Sequence, residues 1–429
     1  MEVTTAPFGL IWCVPARTPR LHYTLEVLFT EWLKLPCVLI SASEWPQPIP
    51  TGWRVIAYGT SCPEADLQVP FSGFLLREGT DFILPAWDEK GFFPGVGDFE
   101  WDLPAMAFYV LTLYPLYQWP YGHDQWGLYA WHKAPFYTAS FWREPFLLLR
   151  VYELLEKLGV RWARPAFHWE MGWDIDHLYA WKGRRGLRWW IGGLRRKDLL
   201  LRLKTRWGKH PDPYDTLSAI TEAFPPAHSR FFFLLSRRHK RDSLIAPTHP
   251  ALRQVIQKLV QKGYAIGLHP SFLSREKPQY FFKEKALLER YLGGKPVTES
   301  RQHYLRFYWP DLAEVLIQAG IERDYTMAFP ERSGFLLGTT LPVPVYHVGW
   351  EKRLPLTLIG PALMDQVYLQ KEDIAGLQEE MRRLLRVVRG TGGLLHLLWH
   401  NSTWAYLPRE ILPVPEVKGG EGFRGCGEG

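Results

Sequence analysis

A chain of 429 residues, 47% of them apolar, can bury a large core and has room for two domains. Lys and Arg outnumber Asp and Glu by 51 to 44, a net charge of +7, and the excess is concentrated between Arg184 and Lys209 and again in Arg237-Arg238-His239-Lys240-Arg241. The four cysteines (Cys13, Cys37, Cys62, Cys426) form no CxxC pair and lack disulfide-scaffold density, so a cysteine zinc site and a disulfide framework are excluded and free thiols are expected.

The N-terminus shows only a short apolar run, Phe8 to Cys13, too weak for a secretory leader. The longest apolar stretch, Leu103 to Trp119, is broken by Pro104 and Pro115 and falls short of the ~20 residues a membrane helix needs. A cytoplasmic location follows as the expectation. In residues 1–165 the runs Cys37–Ile40 and Arg54–Tyr58 predict strands, and His22–Leu33 has helical apolar spacing. Asp102 with Pro104 predicts a helix start, with the helix running through Met106 and Leu113 and stopping by Pro115. A further helix over Pro145–Leu158 should end at Gly159. This stretch reads as a smaller α/β domain of unknown role: it carries no phosphate loop, no GxSxG and no clustered metal ligands.

From 166 to 410 the rhythm becomes strand, loop, helix, repeated. Phe167, Trp169 and Met171 lead a buried strand to Asp174 and Asp176, which share a face because strand side chains alternate with period two. The pair reads either as a metal-and-base arrangement or as a strand-to-loop turn with an Asx hydrogen bond. Phe231–Leu235 is a continuous apolar run expected of a doubly buried strand. Helices follow at Pro250–Gly263, at Lys283–Leu292, from a capping-box-like Asp311 to Gly320, and over Ile374–Val388. Strands at Tyr264–Leu268 and Gly393–Leu398 deliver His269 and His400. Repeated βα units predict a parallel sheet or barrel with its chemistry at the C-terminal strand ends. Residues 411–429, with Pro413, Pro415 and six glycines, predict a loose tail.

Four polar clusters follow apolar strands here: Asp174/Asp176, Gly267-Leu268-His269-Pro270-Ser271, Arg301-Gln302-His303-Tyr304-Leu305-Arg306-Phe307 and Leu398-Trp399-His400-Asn401. Carboxylate, imidazole and guanidinium at successive strand ends form a functional signature. In these clusters, with Asp212-Pro213-Tyr214-Asp215-Thr216 and the Phe231 run, the chain resembles the polysaccharide deacetylase (NodB-homology) superfamily. More narrowly, it looks like the subgroup with an uncharacterised N-terminal partner domain, which the first domain resembles through Phe108-Tyr109 and their neighbours.

The resemblance implies a distorted (β/α) barrel preceded by the smaller α/β domain. It also implies metal-assisted hydrolytic removal of acetyl from an N-acetylated saccharide or sugar-linked precursor. By motif order Asp174 would be the base, His400 the acid, and Asp176 and His269 ligands of a divalent metal such as zinc, with Arg301 or Arg306 orienting the base. Leu273 stands where the family has a second His, which leaves His303 to complete the ligand set or the site without a metal. Trp173, Ala265 and Leu336 also replace residues usual in the subgroup, and Asp324 and Asp365 are acidic positions of open role. Two other readings stand beside the enzyme. One is a non-catalytic carbohydrate-binding protein, to which 21 tryptophans would be suited. The other is a polyanion or nucleic-acid binder using residues 184–209, although no nucleic-acid motif accompanies that run.

Overall fold

The computed structural model describes residues 8–44, 48–62, 64–183 and 198–404. Near the N-terminus, β1 (Gly9–Val14), β2 (Cys37–Ser41), β3 (Trp53–Tyr58) and β4 (Leu67–Val69) form a parallel sheet in the order β2-β1-β3-β4. The helix expected from His22 starts earlier, at Pro19, because Thr18 accepts a hydrogen bond from the Leu21 N–H and Pro fits the first turn. It passes into a π-helical turn at Glu26–Glu31. A short ribbon follows, β5 (Trp87–Asp88) against β6 (Gly91–Phe92). Asp102 caps the helix Leu103–Leu111 through the Ala105 N–H. That helix stops before Leu113, which adopts φ +54. The helix Phe146–Lys157 precedes Gly159, whose φ of +63 suits a residue without Cβ.

The second sheet contains β7 (Phe167–Ile175), β8 (Ser229–Leu234), β9 (Ala265–His269), β10 (Glu299–Ser300), β11 (Arg323–Asp324), β12 (Val343–His347), β13 (Lys352–Leu358), β14 (Leu363–Met364) and β15 (Gly393–His400). Its order is β12-β13-β11-β10-β9-β8-β7-β15-β14, parallel except for the antiparallel pair β12–β13. The expected barrel is therefore not closed: β12 and β14 are edges that do not pair. The segment between β11 and β12 lies at this opening. Its Gly334 N–H bonds to Ala362 O beside β14, and its Thr340 O accepts from the Leu394 N–H of β15. The N-terminal half clasps the same segment, since Trp142 O accepts from the Phe335 N–H and the Leu147 N–H donates to Gly338 O. One continuous hydrophobic core runs through both halves.

Helices cover the outer face at Pro250–Gln261, Pro278–Tyr291, Asp311–Gln318 and Ile374–Thr391. The helix expected at Lys283 begins at Pro278, where Pro again occupies the first turn. The capping box expected at Asp311 does not form: Asp311 is the first helical residue and no side chain caps that end. Outward residues Trp169, Met171 and Trp173 of β7 join the main core, while the even-numbered Glu170, Gly172 and Asp174 face inward with His396 and His400 of β15.

The sheet is curled. Arg301, at the end of β10, reaches Gly172 O (3.2 Å) and Asp174 (2.7 Å) on β7, three strands away. On a flat sheet those strands would lie ~14 Å apart, further than one arginine side chain spans. The guanidinium forms a chord across the concave face.

Candidate metal and catalytic site

The inner mouth of the curled sheet collects the residues that the sequence scatters over more than two hundred positions. Asp176 follows the last residue of β7, His269 ends β9, His303 lies in a short turn after β10, and His400 ends β15 opposite Asp174 in the strand register. Asp176, His269 and His303 can each offer one ligand atom, and these atoms all lie within 4.8 Å of one another. His269 Nε2 is 3.2 Å from Asp176 Oδ1 and 3.6 Å from Asp174 Oδ2, and His303 Nε2 is 3.7 Å from Asp176 Oδ1. Despite this proximity, Asp176 Oδ1 and His269 Nε2 are buried and make no hydrogen bond. Buried polar atoms are nearly always partnered. Two buried orphans that both turn lone pairs toward one point, in a His/His/carboxylate set, fit a divalent cation.

The surrounding bonds fix these ligands. His269 Nδ1 bonds to Arg301 O at 2.7 Å, so the ring donates there and leaves Nε2 facing the cluster. The same Arg301 extends its side chain back to the base candidate: Nη1 donates to Asp174 Oδ1, Nε donates to Tyr325 O at 3.2 Å, and the guanidinium sits 4.3 Å over the Phe232 ring. One residue thus sets both a ligand and the carboxylate beside it. Burial works against the charged form of His269, yet Asp174 and Asp176 hold its pKa above the usual value. Burial also opposes ionised Asp176, but His303 and His269 outweigh it and hold the carboxyl well below the usual range. His303 goes the other way, because burial lowers it more than Asp176 raises it. The pocket therefore favours an ionised Asp176 and a neutral His303, the forms that bind metal, while a cation binding at His269 would displace the proton that Asp174 and Asp176 favour there.

His400 stands opposite, with Nε2 3.8 Å from Asp176 Oδ2. Its Nδ1 bonds to Asp365 Oδ1 at 2.7 Å, and its own backbone N–H donates to the other oxygen of that carboxylate at 2.9 Å. Burial would discharge this imidazole; Asp365 overrides it and pushes the pKa up to about 10. His400 consequently carries a proton at neutral pH. The Asp176 and His400 side chains are 18% and 14% exposed, against 3% and 1% for Asp174 and His269.

Arg306 is placed elsewhere. Its Nε donates to Trp126 O (2.6 Å), Nη1 to Phe272 O, and Nη2 to Glu276 Oε1 (2.7 Å), so it does not touch Asp174. Among the described residues the arginine bonded to Asp174 is Arg301. Leu273, at the position of the missing imidazole, begins a turn in which its carbonyl accepts from the Lys277 N–H.

Several contributors went unread in the sequence. Asp365, an acidic position of open role in the sequence, is the partner of His400. Glu170 and His396 extend the site inward: His396 Nδ1 bonds to Glu170 Oε1 at 2.8 Å while its Nε2 faces Arg301 Nη2. These neighbours dictate a neutral ring that donates from Nδ1 and accepts at Nε2. Burial pushes His396 down to about 4, and against burial His396 and Arg230 hold Glu170 at about 2. A period-two count back from Asp174 and His400 would have found both, since each lies four residues before its partner on the same strand face. Gly172 completes the set. A Cβ there would lie 2.2 Å from Arg301 Nη2 and 2.6 Å from His396 Nε2, so only glycine admits the guanidinium.

Of the basic run, residues 184–197 lie outside the described residues, as do Cys426 and the tail. Within the described part Arg202 is buried and paired with Asp198, and Lys182 pairs with Asp215. Cys13, Cys37 and Cys62 are free thiols. Among the described residues no helix is long and apolar enough to cross a membrane.

Residues 10–163 match a model described as a family of unknown function, DUF7033, which covers only the N-terminal part. No curated protein matches the chain. A crystal structure from Mycobacterium smegmatis, provisionally described as a polysaccharide deacetylase, aligns with 15% identity and a TM-score of 0.35 over 57% of this chain and 80% of that one. A likeness that distant adds nothing to the geometry.

Proposed function

We propose that the chain is a metal-assisted hydrolase that removes acetyl groups from an N-acetylated saccharide or a sugar-linked precursor. The observation that carries this reading is the convergence of Asp176, His269 and His303 within 4.8 Å, flanked by Asp174 and His400. The motif resemblance of these clusters to the polysaccharide deacetylases supports the substrate class.

Asp176, His269 and His303 would hold a divalent cation, of which zinc is the expectation from the ligand types. The chemistry such an ion supplies when bound is Lewis acidity toward an amide carbonyl and a nearby water. The protein's own groups move the protons. Asp174, paired with Arg301 Nη1 at 2.7 Å, accepts the proton that water gives up on attacking the acetamido carbon. His400 carries a proton through its Asp365 partner and delivers it to the amine as the C–N bond breaks. Water and amide thus become acetate and a free amino sugar. Arg301 is a positioning residue, held rigid by Tyr325 O, Gly172 O and the Phe232 ring.

The test is acetate release from a panel of N-acetyl sugars with added zinc or cobalt, comparing wild type with Asp174→Asn. The expected result is turnover by wild type with a loss of roughly 10²–10⁴-fold in the variant, the usual contribution of a general base. Equal rates in both proteins, with no metal in the purified chain, would reject the enzyme and leave the non-catalytic sugar-binding reading in its place.

A further inference from the structure

Beside the metal cluster lies a group of side chains that the proposed chemistry does not use. Arg241 Cζ sits 3.7 Å from the Trp126 ring centroid, 5.3 Å from Tyr304 and 5.4 Å from Phe272. Its one side-chain hydrogen bond runs from Nη1 to Tyr304 Oη at 3.4 Å, and among the described residues no carboxylate pairs with it. A guanidinium with five donors, clamped between rings and lacking a counter-charge, is pre-oriented for an oxyanion.

Its location matters more than its charge. Tyr304 directly follows His303, and their rings lie 4.6 Å apart, so Arg241 stands one aromatic ring from a metal-ligand candidate. Tyr304 and Leu305 take left-handed φ values of +60 and +53, uncommon for such side chains, and Tyr304 is left 42% exposed. Trp126, 40% exposed, comes from the N-terminal half. Its loop is pinned across the mouth by two arginines of the other half: Arg306 donates to Trp126 O and Arg275 to Gly127 O. Arg306 itself is buried.

We infer that Trp126, Tyr304 and Arg241 form a substrate subsite at the rim of the metal cluster, built from both halves of the chain, that selects an N-acetylated saccharide bearing an anionic group about one ring from the acetamide. The inference rests on the deacetylase reading for the saccharide, but the recognition of an oxyanion by Arg241 does not. The exposed rings supply stacking faces for a sugar, and the guanidinium supplies the charge-assisted hydrogen bonds. Phosphate and carboxylate share this chemistry.

The experiment is calorimetric titration of the Asp174→Asn protein, which removes turnover, with N-acetylglucosamine, its 6-phosphate, and N-acetylmuramic acid. Binding of one or both anionic sugars at least roughly tenfold tighter than the neutral sugar is expected, and the stronger of the two identifies the oxyanion. R241Q should collapse that difference, and W126A should weaken all three ligands. Should R241Q fail to fold, the same preference is read from ionic strength: the affinity of the anionic sugar falls with added salt and that of the neutral sugar does not. Equal affinities for charged and neutral sugars, or a preference untouched by R241Q and by salt, would overturn the inference. A protein that hydrolyses nothing yet keeps an Arg241-dependent preference refutes the deacetylase and retains this subsite; an active deacetylase indifferent to charge does the reverse.

Discussion

Gly172→Ala is the most pointed structural perturbation of this site. The new methyl would sit 2.2 Å from Arg301 Nη2, more than 1 Å inside ordinary contact, and 2.6 Å from His396 Nε2. A flexible side chain could swing aside, but Arg301 is fully buried and held by Tyr325 O, Gly172 O, Asp174 and the Phe232 ring. Moving it breaks a buried ion pair, whose loss costs roughly 3–5 kcal/mol, while letting the backbone yield instead costs about 1–3 kcal/mol. The cheaper route should dominate, with some loss of the Arg301–Asp174 contact, for a destabilisation of about 3 kcal/mol and a fall of ~5 °C or more in the unfolding midpoint. Misplacing Asp174 by an ångström should lower kcat by roughly 10²-fold. The assay is thermal unfolding together with acetate release, in wild type and in an Arg301→Ala background. With the guanidinium gone, the share of the Gly172→Ala penalty owed to Arg301 should vanish and leave the smaller one owed to His396, because the two residues couple. An equal penalty in both backgrounds, or one below about 0.5 kcal/mol, would refute the claim that Gly172 exists to admit Arg301.

Asp365→Asn removes the group that, against burial, holds His400 at about 10, so the His400 ring signal should titrate at clearly lower pH in the variant; an unchanged titration would contradict the pairing. Acid should weaken the fold in a defined window. His396 is pushed by burial from 6.5 to about 4, so between those values the unfolded chain takes up a proton that the folded chain refuses, and stability falls as pH drops. Glu170, lowered from 4.5 to about 2, extends the loss downward, and His396→Gln should flatten only the upper part of a denaturant-derived stability curve. Arg306→Met should free the loop around Trp126 at a cost of about 2 kcal/mol, seen as faster proteolytic nicking at 122–129 with metal content unchanged; nicking at the wild-type rate would remove its clamping role.

Much of the cluster was legible because strand ends declare themselves. Apolar runs stopping at Asp174, His269 and His400 set those side chains at one edge of a sheet, and parallel topology brings such edges together. His303 and Arg301 were readable for the same reason, though Arg306, five residues on, was equally plausible in sequence and bonds instead to Trp126, Phe272 and Glu276. Asp365 could not be read: it follows β14, a two-residue strand too short to show any period. The strands β10 and β11, equally brief, hid the middle of the sheet. Closure was the larger miss. Alternating βα rhythm suggests a barrel, but β12 and β13 turn back as an antiparallel pair, and side chains of the N-terminal half meet the edge they create, Tyr23 donating to Pro344 O and Trp32 to Pro342 O. Nothing local to either stretch encodes that docking. His396 sits within an apolar strand, where an inward-facing polar residue becomes visible only once His400 fixes the parity.

Metal analysis of untagged protein bears most directly on the site, with Asp176→Asn and His269→Gln measured beside the wild type. Near one divalent ion per wild-type chain, lost in both variants while they remain folded, is the expected result. A wild type purified and dialysed against zinc that retains none, or variants that retain as much, would contradict the assignment of Asp176, His269 and His303 as a metal centre.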